Sequence, residues 1–346
     1  FINSRILTKA TKRLMIMKGI VQNFFLSSHP LRGKVDQRIR NLLSCGIHIA
    51  SSIPEMRKYR EENADISLVA TMGALHTGHL ELVRRAKQTN SKVVVSIFVN
   101  PTQFSQGEDL DKYPRQIESD LEMLTELGVD CAFIPTLPEM YPGSSLCHVE
   151  PSNFANISEG KARPDFFRGV ATIVCKLFNI VQPSTTFFGQ KDISQCLLVK
   201  QMVTDLNMPV DVLVCETVRE ADGLALSSRN AYLAPHERKV ANILHKALVS
   251  AQQYCNDASS SGKLVTRDAI IENAQSVLQK EPLVTLVEYI SVASHYDMTE
   301  IESYGCTTIE PSNTVSGAVI SAAIRVGQVR LIDNLLVGRA ADDILC

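Results

Sequence analysis

The run Lys92-Val93-Val94-Val95-Ser96-Ile97-Phe98-Val99 is apolar and β-branched without alternation. A strand with one wet face alternates polar and apolar residues, whereas one covered on both faces reads as an unbroken apolar run. The segment therefore predicts a strand in the middle of a layered structure. A shorter run, Ile66 to Ala70, precedes it, and Cys131-Ala132-Phe133-Ile134-Pro135 follows it. Helical spacing fills the gaps: Leu80, Val83 and Ala86-Lys87 in the first, then Ile117, Leu121, Leu124 and Leu127, closed by Gly128, in the second. A further helix is expected around residues 53–62, ahead of the first strand. An order β-α-β-α-β with such strands argues for a parallel sheet with helices on both faces.

The pattern continues beyond a loop-rich stretch, 136–167. A helix is expected from Phe167 to about Val181 and a strand from Thr185 to Phe188. A helix through Ile193, Leu197, Val199 and Met202 follows, then a strand over Val210 to Cys215. After a polar loop, helices are expected over about 235–255 and 267–280, with a mobile Ser-rich loop at Asp257 to Gly262. Strand-like runs close the chain at 287–293, 318–324 and 329–336. This tail reads as a smaller C-terminal α+β domain. The expected organisation is thus residues 1–46 as an N-terminal extension, 47–217 as the sheet domain and 218–346 as a C-terminal lid domain.

Residues 1–46 are basic and poor in acids, with Asp36 as the acidic residue among many Lys and Arg. That composition reads either as an organellar transit peptide or as an upstream extension with no role. Elsewhere the balance is ordinary. A net charge of −2 gives no broad basic face for nucleic acid, and no apolar run is long enough to span a membrane. The nine cysteines are scattered, and Cys131, Cys175, Cys196 and Cys215 lie in apolar segments. Buried thiols in a reducing compartment suit this better than a disulfide framework or a zinc site. The expected location is the cytoplasm, or the mitochondrion if residues 1–46 are a transit peptide.

Chemistry concentrates at strand ends. Thr71-Met72-Gly73-Ala74-Leu75-His76-Thr77-Gly78-His79 joins the first strand to a helix. Backbone N–H groups and the helix dipole collect anions at such a helix start. Gly189-Gln190-Lys191-Asp192 occupies the same kind of position after a later strand, at the edge where open α/β sheets bind ligands. A third segment, Asp222-Gly223-Leu224-Ala225-Leu226-Ser227-Ser228-Arg229-Asn230, is a polar loop with two hydroxyls and an arginine. Each residue also has a plain structural reading. Lys191 could be a solvated helix-start lysine, Asp192 an N-cap, Ser227 and Ser228 an ordinary turn, and Gln195 a partly buried helix glutamine.

A His-x-Gly-His turn followed much later by a Ser-Ser-Arg loop resembles the nucleotidylyltransferase superfamily, with its Rossmann-like parallel sheet. Further segments narrow it: Phe98-Val99-Asn100-Pro101-Thr102-Gln103-Phe104, Tyr113-Pro114-Arg115, Phe167-Arg168-Gly169-Val170, Phe187-Phe188-Gly189-Gln190-Lys191-Asp192 and Arg330-Leu331-Ile332-Asp333-Asn334. Together, over about residues 47–338, they resemble the pantothenate synthetase (pantoate–β-alanine ligase) family. That resemblance implies ATP as a substrate with Mg²⁺, pantoate and β-alanine as the other substrates, a pantoyl-adenylate intermediate, and a homodimer. It implies His79, His76, Lys191 and Arg229 as catalytic groups. It further implies Met72, Gly73, His76, His79, Gly189, Lys191, Asp192, Val218, Leu226, Ser227, Ser228 and Arg229 around ATP. Gln103 and Gln195 are implied for pantoate, and Asp120, by position, as a Mg²⁺ contact.

This chain departs from the family pattern in two places. Asp165-Phe166 stands where many members carry Gly-His, and Gln190 stands where Glu is common. Another adenylyl-transferring enzyme of the same superfamily is the alternative reading. A tRNA synthetase core would want a basic RNA-binding surface or an appended domain, and neither is evident.

Overall fold

The computed structural model describes residues 46–346 except 105–107, 109, 144–145, 306–313 and 316. The basic extension, Gly46 apart, lies outside the described residues. The first domain is built from β1 (His48–Ala50), α1 (Ile53–Glu62), β2 (Ile66–Thr71), α2 (Thr77–Lys87), β3 (Lys92–Ile97), α3 (Ile117–Glu126) and β4 (Cys131–Phe133). It continues through α4 (Leu137–Met140), α5 (Ser158–Ala162), α6 (Phe166–Val181), β5 (Thr185–Gly189), α7 (Ile193–Asp205) and β6 (Asp211–Cys215). The strands form a six-stranded sheet in the order β1-β4-β3-β2-β5-β6. Every pairing in it is parallel.

The strand order has a functional consequence. From β2 the chain moves outward through β3 and β4 on one side, then returns to lay β5 and β6 on the other. The crossovers diverge between β2 and β5, and the crevice beyond their carboxyl ends is the natural ligand site of such a sheet. Apolar cores cover both faces. Leu68, Val94 and Phe133 pack with α6 and α7 on one side, and Val69, Val93 and Val95 with α2 and α3 on the other.

The second domain holds α8 (Pro235–Arg238), α9 (Ile243–Ser260), β7 (Val265–Thr266), α10 (Arg267–Leu278), β8 (Val284–Ser294), β9 (Ser303–Tyr304), β10 (Thr314–Val315), β11 (Gly317–Val326) and β12 (Val329–Gly338). Strands β12-β11-β8 form an antiparallel sheet. Leu244, Leu248, Ile270 and Leu278 of α9 and α10 pack on Ile320 and Ile324. A last helix, α11 (Ala340–Ile344), brings the chain back to the first sheet, where Leu345 bridges Val214 of β6.

Several boundaries differ from expectation for identifiable reasons. Strand β1 is three residues long, too short to show a period. The helix expected over 235–255 is two, because i→i+3 bonds turn the chain at Val240 and Ile243. The Ser-rich loop expected at Asp257 to Gly262 is mostly helix. Ala258 is buried in the core and carries α9 to Ser260, so the chain turns only at Ser261 and Gly262. The loop-rich stretch 136–167 contains α4 and α5.

The turn from β2 into α2 carries left-handed backbone at both Gly73 (φ +81°) and Ala74 (φ +52°). Ala74 resists that conformation, so something else must hold it. Asp120 of α3 does so. It is fully buried, and its two oxygens accept the N–H of Ala74 at 2.9 Å and of Leu75 at 2.8 Å. Desolvation raises its pKa despite those two bonds. Asp120, expected as a Mg²⁺ contact, has both oxygens on backbone N–H groups and does not line the cleft. Asp120→Ala leaves two buried N–H groups unpaired and should lower stability by about 2–5 kcal/mol, with Asp120→Asn losing roughly half of that. Urea unfolding followed by circular dichroism measures it, and a wild-type midpoint for the alanine variant contradicts the clamp.

Candidate active site

The two histidines lock each other. His76 is the N-cap of α2, in extended backbone, and its Nδ1 accepts the N–H of Gly78 at 3.2 Å. His79 reaches back, and its Nδ1 accepts the N–H of His76 at 3.3 Å. The rings lie 4.0 Å apart between centroids. A Cβ on residue 78 would sit 3.0 Å from the His76 ring, so glycine there lets the ring fold over the helix start. With both Nδ1 atoms accepting, the neutral rings carry their protons on Nε2. Burial lowers the pKa of His76 to about 4, with Lys191 adding to it. Burial lowers that of His79 to about 3, helped by His76 and Lys191. The pair is thus two neutral Nε2–H donors.

Across the crevice, β5 ends in Gly189 and a 3-10 turn, Gln190–Asp192, that leads into α7. Asp192 stands at the N-cap position but makes no capping hydrogen bond, so its carboxylate is not occupied by the helix. Lys191 Nζ lies 3.4 Å from its Oδ2. Burial opposes the charge of Asp192, but Lys191, with Arg229 and Arg163, outweighs it and lowers its pKa. The turn is fastened from the second domain. Asn334 Nδ2 donates to the carbonyls of Gln190 (2.8 Å) and Lys191 (3.0 Å), and Gln190 Nε2 donates to Asn334 Oδ1 at 3.1 Å. A glutamine at 190 thus completes an amide pair.

The loop after β6 is held by the same strand. Buried Asp333 accepts from Nη1 and Nη2 of Arg219, at 2.6 and 2.9 Å. His245 and Arg219 together overcome its desolvation and lower its pKa. This anchors residues 219–226 and presents Ser227, Ser228 and Arg229 to the cleft. Ser227 Oγ accepts the N–H of Arg229, and Ser228 Oγ lies 3.4 Å from the Tyr113 hydroxyl.

On the far wall, Asn100 fixes the loop that carries Gln103. Its Nδ2 donates to Gln103 Oε1 at 3.0 Å and to the Gly169 carbonyl at 3.2 Å. Its Oδ1 accepts from Thr102 and Tyr141. Gln103 Nε2 points to Met72 Sδ at 3.1 Å. Helix α6 can come this close because residue 169 is glycine; a Cβ there would lie 2.2 Å from the Thr102 carbonyl oxygen.

One cleft is lined by Met72, His76, His79, Gln103, Gly189, Lys191, Asp192, Gln195, Val218, Leu226, Ser227, Ser228 and Arg229. Every predicted site residue is there except Gly73 and Asp120, which lie in and under the turn. Phe98, Phe166, Val170 and Val174 give the cleft apolar walls near Gln103. Sequence reasoning missed Asn100, Arg163 and Arg330 as lining residues. Asn100 and Arg330 fall inside quoted segments, but their roles depend on partners far along the chain. At the departure from the family pattern, Asp165 adopts left-handed backbone (φ +67°) and Phe166 is buried beneath Arg163, 3.6 Å from the guanidinium carbon. Among the described residues no helix is long and apolar enough to cross a membrane.

The comparisons with known proteins agree with this geometry. Residues 48–336 match the family described as pantoate-beta-alanine ligase. The pantothenate synthetase of Chloroflexus aggregans is 46% identical over 290 residues, covering 84% of this chain and 99% of that protein. That of Roseiflexus castenholzii is 43% identical over 291 residues, with 84% and 99% covered. The crystal structure of the Thermus thermophilus pantothenate synthetase superposes with a TM-score of 0.74 at 40% identity, covering 84% of this chain and 99% of that one. The Francisella tularensis pantoate-beta-alanine ligase, crystallised with an ATP form and β-alanine, gives 0.65 at 33% identity, with 84% and 98% covered. With a family match across most of its length and relatives above 40% identity, the chain belongs to the pantoate–β-alanine ligase family.

Proposed function

We propose that the protein condenses pantoate with β-alanine at the expense of ATP, through pantoyl adenylate, releasing pyrophosphate and then AMP. In the first step a pantoate carboxylate oxygen bonds to the α-phosphorus and the bond to pyrophosphate breaks. In the second the β-alanine amine attacks the acyl carbon, loses a proton, and AMP leaves. The observation that carries this reading is the joint lining of one cleft by His76, His79 and Lys191 together with Gln103 and Gln195. Phosphates need donors and positive charge; a small hydroxy acid needs amides that both donate and accept.

In this reading His79 and His76 donate Nε2–H to phosphate oxygens as charge develops. Lys191 and Arg229 supply the positive charge, with Ser227 and Ser228 closing over the phosphates. Asp192 takes the ribose hydroxyls, while Met72, Gly189, Val218 and Leu226 shape the nucleotide site. Gln103 and Gln195 hold the hydroxyls and carboxylate of pantoate against the apolar wall. Among the described residues no group of three or more His, Cys, Asp or Glu could cage a metal. Mg²⁺, if carried by the nucleotide, would offset the phosphate charge that His79, His76, Lys191 and Arg229 face. We further infer a homodimer and a cytoplasmic setting, the latter supported by free thiols at Cys131, Cys196 and Cys215.

Isotope exchange between pyrophosphate and ATP tests the reading directly. Exchange should require pantoate, and adding β-alanine should yield pantothenate and AMP in equal amounts. Exchange without pantoate would point to a different acyl or phosphoryl acceptor. His79→Ala should cut the single-turnover rate of adenylate formation by about 10²–10³ with the fold intact; a near-normal rate removes His79 from the chemistry.

The titration of the pair gives a separate check. Both folded pKa values, about 4 and about 3, lie below the ordinary 6.5. The unfolded chain therefore takes up protons that the folded one refuses. The associated stability is fully present above pH 6.5 and is lost as pH falls through about 4 for His76 and about 3 for His79. Imidazole ¹⁵N spectra should keep the neutral Nε2–H pattern for both rings from about pH 8 to about 5. Protonation of either ring near 6.5 would overturn the neutral-donor assignment.

A further inference from the structure

The cationic side chains lining the cleft differ in what already holds them. Among the described residues they are Arg163, Lys191, Arg229 and Arg330. Under the ligase reading, on which this inference rests, Lys191 and Arg229 face phosphates. Arg163 is closed: both Glu108 oxygens bind it at 2.8 Å, the Gln103 carbonyl accepts from its Nη2, and its face covers Phe166. Arg330 is held on one edge. Its Nε donates to Glu288 Oε2 at 2.7 Å, and the other oxygen of Glu288 takes Arg325 Nε at 3.0 Å. That fixes the guanidinium plane. Its Nη2 is buried and makes no hydrogen bond. A buried cationic donor without a partner is costly, and such a group calls for an explanation, a ligand among the candidates.

The reaction itself selects the ligand. Pantoate's carboxylate is the reacting group and changes charge when the adenylate forms, so a fixed cation cannot serve it through both steps. β-Alanine's carboxylate keeps its charge throughout. Its amine must reach the acyl carbon at the Gln103–Gln195 pocket, which leaves the carboxylate two methylenes away along the cleft. We propose that Arg330 Nη2 receives the carboxylate of β-alanine, so that the C-terminal domain selects the second substrate. Other polar groups around the guanidinium are Glu159, Tyr289 and Glu288. Burial raises the pKa of Glu159 against the opposing pull of Arg330 and Arg163.

The test compares Arg330→Gln and Arg330→Lys in the full chain, with β-alanine and the uncharged 3-aminopropanamide as acceptors. The KM for β-alanine should rise about 10- to 100-fold in Arg330→Gln, the loss expected for a hydrogen bond to a charged group. The rise should be smaller in Arg330→Lys. The preference for β-alanine over the amide should collapse in the glutamine variant, while pantoate-dependent pyrophosphate exchange falls far less. An unchanged KM for β-alanine, or an equal loss of exchange, overturns the assignment. If Arg330→Gln does not fold, the acceptor preference of Arg330→Lys decides, and a preference equal to wild type is then the negative result. A wild-type protein without pantoate-dependent exchange defeats the ligase reading instead and is distinguishable from either outcome.

Discussion

The grip of one buried carboxylate on two backbone N–H groups underlies the geometry of the cleft. Asp120 holds Ala74 in a conformation that alanine disfavours, and so fixes where α2 begins. The start of α2 sets where His76 caps and where His79 reaches back. Remove the clamp and the histidines keep their sequence spacing but lose the reason to face one another. The group sits outside the cleft, at the base of the turn, and a low dielectric strengthens its bonds as much as it penalises its charge.

A second fastening joins the two domains. Asp333 and Asn334 are neighbours on β12, and they divide the work. Asp333 grips Arg219 and so the loop bearing Ser227 to Arg229. Asn334 grips the carbonyls of Gln190 and Lys191. One short segment of β12 thus sets the position of the Gln190–Lys191 turn in the first domain and of the loop that follows β6. Because Leu345 also returns to β6, the second domain is joined to the sheet at both of its ends.

Much of this is legible in the sequence, for stated reasons. Unbroken apolar runs give away strands covered on both faces, and the helices between them have room to show a period. The His-x-Gly-His turn and the Lys191-Asp192 turn can be placed at strand ends, and the parallel topology brings those ends together. What is not legible depends on distant partners. Asp120 looks like any helix carboxylate until Ala74 and Leu75 fold beneath it, which is why its position suggests a metal contact. Asn100 and Gly169 are far apart in sequence and meet only because α6 packs on the Gln103 loop. The helix through Asp257 is hidden because serine suggests a loop, and only the tertiary core reveals that Ala258 is buried.

The neutral state of the two imidazoles bears on how turnover is limited. A cationic pair at the same place would attract the tetra-anionic nucleotide in its ground state and hold pyrophosphate equally well after cleavage. Neutral donors aligned by the backbone discriminate differently. They bind weakly where charge is spread and most strongly where it concentrates on one oxygen. Binding energy of that kind lowers the barrier without deepening the wells on either side. Under the proposed ligase reading, the histidines would therefore govern the height of the chemical step, and the lysine and arginine the escape of its products.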